Sequence, residues 1–297
     1  MDRPDPGQPV ELEPGLRLVL APNPSPMTHW GTNTYIVGTG PVAIVDPGPD
    51  DPTHLAALRR ALAGAPVTAI LVTHAHRDHS PLASRLARET GAPVLAFGPP
   101  EAGRSPFMAA LAAEGDLGGG EGVDAAFRPD ATLAEGDRID VGGLFLDVLH
   151  TPGHFAGHLA FALGDSVLTG DHVMGWASTL VSPPDGDVAR FMDTSARLRA
   201  RGDRIFYPGH GAPVREPAGR LDWLMAHRRA REAAILDALV SGHARLTEIT
   251  ASAYRDAPPA MFPAAARNVL AHLVDLAARG VVKAEPALST TARFRLT

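Results

Sequence analysis

The sequence predicts a mixed α/β layered domain followed by a small winged-helix module. Three observations carry this reading. Strand-like and helix-like segments alternate through the first two-thirds of the 297 residues, the pattern of layered α/β domains. Gly142-Gly143 sits between two alternating stretches, a hairpin signal that rules out a purely parallel sheet. From about residue 217 the pattern turns helical and the charge changes sign. Residues 1–219 hold 16 Lys+Arg against 26 Asp+Glu, and residues 220–297 hold 11 against 7. Residues 1–217 are therefore read as one domain and 218–297 as a second.

Each element has a local reason. "LRLVLA" (16–21), "NTYIVG" (33–38) and "PVAIVD" (41–46) are apolar, partly β-branched and bounded by Gly or Pro, as strands are. Residues 50–64 repeat apolar side chains at helical spacing and stop at Gly64. "VTAILVTH" (67–74) is the continuous apolar run of a strand covered on both faces. A helix over 80–91 follows, with Ser80 as N-cap, Pro81 at its first position and Gly91 at its end. Residues 98–130 hold at most one short helix and a run of glycines, which suits either a lid or a surface insertion. The hairpin spans 138–151, "HLAFAL" and "SVLTGD" are short strands, and a helix over 187–201 leads to the strand at 204–210. Beyond 217, three helices closed by "VVKAE" and "ARFRLT" have the winged-helix order.

Composition excludes several chemistries. The chain has no cysteine, hence no disulfide, thiolate ligand or cysteine nucleophile. Its one lysine is Lys283, so no lysine can act in the larger domain. The N-terminus lacks the apolar core of a secretory signal, and no apolar run is long enough to span a bilayer. A soluble, cytoplasmic protein is expected, with no membrane partner. Aromatic residues are only 5% of the chain, so the core must be largely aliphatic.

Four separated segments end a short apolar strand in His or Asp beside Gly or Thr: "ILVTHAHRDH" (70–79), "VLHTPGHFAGH" (148–158), "VLTGDHVMG" (167–175) and "FYPGHG" (206–211). Eight of the 13 histidines fall in these windows. Strand ends along one sheet edge are where distant segments converge on a site. Neutral imidazole and carboxylate are good ligands for Zn2+ and similar cations. His74 and His76, two apart in an extended segment, point to one side and suit one ion. Asp78 and His79, past the bend, suit a second.

"THAHRDH", "TPGH", "TGD" and "PGHG", in this order, resemble the metallo-β-lactamase superfamily. The resemblance is greatest to glyoxalase-II-like hydrolases and to lactamase-like proteins with a C-terminal winged helix. It covers nearly the whole chain and implies an αββα sandwich with a dinuclear site at one edge. Carried over by position, it implies that His74, His76 and His154 hold one metal, that Asp78, His79 and His210 hold the other, and that Asp171 bridges them. The expected cofactor is two Zn2+, or Mn2+ or Fe2+. A metal-bridging hydroxide would be the nucleophile, with Asp78 and Asp171 as the catalytic carboxylates. The absent cysteine, and His76 where di-iron flavoproteins carry Glu, set those relatives aside.

The remaining candidates have two readings each. Asp46 is by resemblance a support behind the ligands, and otherwise a turn carboxylate. His150 and His158 suit hydrogen bonding beside the ligands. His172 faces substrate or packs in the core, and Trp176 lines the pocket or anchors its loop. His29, His54, His227, His243 and His272 read as surface or packing residues. "GTGPVA" (38–43) joins two strands, so it is a turn and not a dinucleotide site. The helix at 263–279 turns Val269, Leu270, Leu273 and Leu276 inward. Outside it leaves only Arg267, His272, Asp275 and Arg279, too sparse for duplex DNA. Arg228, Arg229 and Arg231 suit an active-site wall or contact with an anionic substrate. The expected function is hydrolysis of a small thioester or lactone. The alternatives are cleavage of single-stranded RNA and a nucleic-acid-binding regulator.

Overall fold

The apolar strands divide their side chains between two cores, and this division sets the architecture. The computed structural model describes residues 1–120 and 122–297. A seven-stranded sheet runs in chain order: β1 (Pro9–Glu13), β2 (Leu16–Leu20), β3 (Asn33–Val37), β4 (Val42–Val45), β5 (Val67–Leu71), β6 (Val94–Ala96) and β7 (Ala131–Thr132). The first four strands are antiparallel neighbours, and the later pairings are parallel. A second sheet has the order β12-β11-β10-β9-β8, from β8 (Arg138–Val141), β9 (Leu144–His150), β10 (Leu159–Leu163), β11 (Ser166–Gly170) and β12 (Ile205–Pro208). Val141 pairs with Leu144 across the expected Gly142-Gly143 turn. Strand β1 is not foreseen from the proline-rich start. It lies at the sheet edge with Pro9 first, where a missing N–H costs no ladder bond.

Alternation explains the layers. Tyr35, Val37, Ala43, Val45, Ala69 and Leu71 meet Leu146, Val148, Leu159, Phe161 and Leu168 between the sheets. Ile36, Ile44 and Ile70 point the other way, onto Leu55, Leu58 and Leu86 of α1 (Pro52–Leu62) and α2 (Ala83–Thr90). Behind the second sheet, Ala160, Ala162, Val167 and Phe206 pack on Leu198, Leu221 and Leu224. The result is the expected αββα sandwich. Helix α2 starts at Ala83, not Ser80. The Ser80 hydroxyl instead donates to the His76 carbonyl and the Asp124 carboxylate.

The insertion is neither a free lid nor a surface decoration. Its helix α3 (Pro106–Glu114) places Met108 and Leu111, with Leu117, in the winged-helix core. Its end straps the first histidine loop: Arg77 N–H donates to Gly122 O, Arg77 Nε to Val123 O, and Asp124 N–H to Ala75 O.

Helix α4 (Val188–Arg201) leads, through β12, to α5 (Pro217–Val240), α6 (Leu246–Ala253), α7 (Phe262–Ala278) and the wing β13 (Val282–Glu285) and β14 (Arg293–Leu296). The expected inward stripe of α7 is buried. Its other side is largely covered too: His272 is 1% exposed, and Arg267 donates to Ser182 Oγ and to the Leu117 carbonyl, while Arg279 at the helix end is exposed. Among the described residues no helix is long and apolar enough to cross a membrane.

Candidate metal centre

The two sheets end at one edge, stitched there by backbone bonds. Leu159 N–H donates to Thr73 O, Gly209 N–H to Gly170 O, and Asn33 N–H to Gly209 O. Strand β5 ends at Leu71, so His74 and His76 do not lie on extended backbone. They sit in a tight turn in which His76 N–H bonds to the His74 carbonyl. The turn still brings the rings together: His74 Nε2 and His76 Nδ1 are 2.8 Å apart, and His154 Nε2 lies 3.2 Å from the latter.

Asp78, His79 and His210 form the second group. Asp78 Oδ2 is 3.5 Å from His79 Nε2 and 3.1 Å from His210 Nε2, and the two ring nitrogens are 3.3 Å apart. Asp171 lies between the groups. Its Oδ2 is 3.8 Å from His154 Nε2, 4.0 Å from His74 Nε2 and 3.3 Å from His210 Nε2. Its Oδ1 is buried without a hydrogen-bond donor among the described residues. All seven expected residues therefore meet in one place. Three groups of three, linked through His74, His79 and Asp171, have ligand atoms within 4.8 Å of one another.

The rings are held from behind. His79 Nδ1 donates to Asp46 Oδ2 at 2.9 Å, and the Thr73 amide and hydroxyl donate to the same carboxylate. With the Thr73 proton so engaged, His74 Nδ1 donates to Thr73 Oγ1 at 2.9 Å. His154 Nδ1 donates to Leu180 O at 2.7 Å, and His210 Nδ1 to Gly31 O at 3.1 Å. Four rings thus spend Nδ1–H outward and turn Nε2 inward, the arrangement that orients imidazole ligands.

Electrostatics separates the two groups. Burial lowers His74, His76 and His154, His76 to about 3, so these three are neutral with free lone pairs. Burial also opposes charge on His79 and His210, but Asp78 and Asp171 outweigh it. His79 is raised well above its usual value and His210 to about 9. Against burial, His79 and His210 hold both carboxylates well below the usual range. A field that stabilises two imidazolium charges would also stabilise a divalent cation. The donor set fits divalent metal.

The remaining candidates separate. His158 backs the site, donating from Nδ1 to Thr151 Oγ1 and accepting from Asp171 N–H. His150 stacks on Phe97 and bonds the Ala156 carbonyl. His172 faces away, against Phe191 and Ser195 Oγ, so it packs in the core. Trp176 is at the rim, 36% exposed and stacked on His29 with ring centres 4.7 Å apart; His29 stacks in turn on Trp30. Arg228 is no wall residue, being 1% exposed. His54 is buried against Thr34, whose hydroxyl holds the Asp46 carbonyl.

Sequence reasoning misses Thr73 and Leu180, and it places His29 only as a surface or packing residue. Thr73 adjoins His74 in sequence and has a positional signal. Leu180 acts through its backbone and has none.

Residues 27–210 match the Metallo-beta-lactamase superfamily. The chain belongs to this superfamily. Residues 246–289 match the Beta-lactamase associated winged helix domain. A Beta-lactamase-like protein 2 homolog from Drosophila melanogaster is 30% identical over 278 residues, 89% of this chain and 88% of that one. The crystal structure of a metallo-beta-lactamase family protein from Thermus thermophilus is similar at TM-score 0.77 and 29% identity, covering 97% of this chain and 100% of that one. A Beta-lactamase domain protein from Burkholderia ambifaria shares the fold at TM-score 0.80 and 24% identity, over 99% and 95% of the two chains. As a superfamily hydrolase, the chain has a His/Asp cluster able to hold metal.

Proposed function

We propose that the chain is a dinuclear metal hydrolase acting on a small thioester or lactone in the cytoplasm. One observation carries the reading: seven buried or half-buried donors form two groups that share Asp171. His74, His76 and His154 would hold one cation, Asp78, His79 and His210 the other, with Asp171 between them. Two Zn2+ ions, or Mn2+ or Fe2+, would supply an ionised water near neutral pH and Lewis acidity toward the oxyanion. Asp171, buried between the two groups, would fix their spacing. Asp78 has a side chain 27% exposed against 8% for Asp171, so it is the carboxylate placed to take up a proton from the reacting side.

The substrate class rests on the rim. Trp30, His29 and Trp176 form a continuous ring stack, and Trp176 lies against Gly211, next to His210. A flat, partly apolar wall suits the acyl or ring part of a small ester-like molecule. The same stack favours a second reading, single-stranded RNA, whose bases stack on aromatic side chains. The net negative charge of residues 1–219 works against a polyanion. The burial of His272 and the bonding of Arg267 on the outer side of α7 support reading the winged helix as a packing module and not a duplex reader.

The test is metal analysis of the purified chain, combined with a screen of thioesters, lactones and short single-stranded RNA. We expect two equivalents of metal, turnover of a thioester or lactone, and its loss in His76→Ala. Full activity in metal-free protein would refute the reading, and RNA cleavage alone would transfer it to the second.

A further inference from the structure

Arg228 is the largest of the fully buried side chains, and among the described residues no carboxylate pairs with it. An unpaired buried cation is costly unless every contact is used well. A leucine or methionine would fill the same space without that cost, so the guanidinium calls for an explanation. Burial pushes its pKa down to about 10, and it stays charged at neutral pH. It lies over the Phe191 ring at 5.0 Å. Its Nη1 donates to Asn268 Oδ1 at 2.8 Å and its Nη2 to the Thr179 carbonyl. Asn268 Oδ1 also accepts from Val181 N–H at 3.1 Å.

These bonds close on three consecutive residues. Thr179 is held by Arg228 and Val181 by Asn268, while the carbonyl of Leu180, between them, receives His154 Nδ1–H. The Thr179 hydroxyl donates to the backbone carbonyls of Asp171 and His172, so the same segment also holds the backbone that carries the shared carboxylate. Both clamping side chains come from the C-terminal helices α5 and α7, and the clamped segment belongs to the sandwich.

We infer that Arg228 and Asn268 are positioning residues for the His74/His76/His154 group, and that the winged-helix module completes the metal centre by fixing the loop that orients His154. The inference rests on the dinuclear reading above. It assigns the module a task inside the catalytic domain, which requires no nucleic acid. A planar fork suits it, because it sets one bond to the Thr179 carbonyl and one to the Asn268 side chain at once.

The test is Zn2+ affinity of the full-length chain, read by competition with a chromophoric chelator in wild type, Arg228→Met, Asn268→Leu and Asn268→Asp. Arg231→Met is the control, since Arg231 bonds the Ala253 carbonyl within the module and takes no part in the clamp. Loss of a bond that orients a metal ligand weakens binding about 10–100-fold. We expect that loss in one of two equivalents in Arg228→Met and Asn268→Leu, and no loss in Asn268→Asp, which keeps the accepting oxygen. If Arg228→Met does not fold, the Asn268 pair decides. Unchanged affinity in Asn268→Leu, or equal weakening in Asn268→Asp or Arg231→Met, would overturn the inference. Wild-type protein that takes up no Zn2+ would instead remove the dinuclear reading beneath it.

Discussion

His74, His76 and His154 meet as neutral imidazoles, whereas His79 and His210 are drawn toward their charged forms by Asp78 and Asp171. The supports differ in the same way. The second group leans on the Asp46 carboxylate and the Gly31 carbonyl, both from the N-terminal half. The first leans on the Thr73 hydroxyl and on a carbonyl from the loop clamped by the C-terminal module. A carboxylate supports the second group directly, while the first meets neutral acceptors, so the two can be disturbed to different degrees. Asp171 is the donor they share, and Asp46 reaches both from behind, His79 directly and His74 through Thr73.

The largest disturbance should come from that shared element. Asp171→Ala should lose both equivalents of metal and all measurable hydrolysis, as read by elemental analysis; retention of one ion would show that the groups are more independent than this geometry implies. Gly209→Ala should come next. A methyl there would lie 2.4 Å from Asp171 Oδ1 and 2.8 Å from His79 Cε1. A displacement of about 1 Å can cost roughly 100-fold in rate, so kcat/KM should fall by about that factor while the circular dichroism spectrum stays native.

Asp46→Asn tests the comparison more finely. It weakens the support of His79 directly and that of His74 only through Thr73, so the second group should lose affinity by about 10–100-fold and the first group by less. A chelator titration that shows both equivalents weakened equally would join the two groups into one unit. The smallest expected effect lies outside the site. Burial, aided by Arg228, Arg279 and His227, pushes His272 down to about 3. Its unfolded value is about 6.5, so between these values the unfolded chain binds the extra proton. The stabilisation is complete above pH 6.5 and is lost toward pH 3, at up to about 1.4 kcal/mol per pH unit. His272→Leu should flatten that limb, seen as a smaller shift in urea midpoint between pH 7 and 5; an unchanged slope would assign the acid sensitivity to other groups.

The donors were legible because metal chemistry restricts residue type and because strand ends are visible as apolar runs meeting polar ones. The layers were legible for the same reason, as in "VTAILVTH", whose uninterrupted apolar run records cover on both faces. The supports were harder to read. Arg228 stands in "HRRAR", where composition suggests a solvated face, and only the packing of α5 against α4 and α7 turns it inward. Helix α7 hides His272 because that face packs toward α5, whose His227 and Arg228 lie near it. Ser80 looked like a cap because its contact with Asp124 lies 44 positions away, beyond any local pattern.

Helix α5 carries a further consequence. Leu221 and Leu224 near its start belong to the core behind the second sheet, and Ile235, Ala238 and Leu239 near its end belong to the winged-helix core. Its 24 residues are a rigid rod with one end in each module, so neither core can melt without pulling on the other. Heating should therefore give a single calorimetric transition with equal van't Hoff and measured enthalpies. A chain cut ahead of Pro217 would bare the apolar back of the sheet and aggregate before its chemistry could be measured.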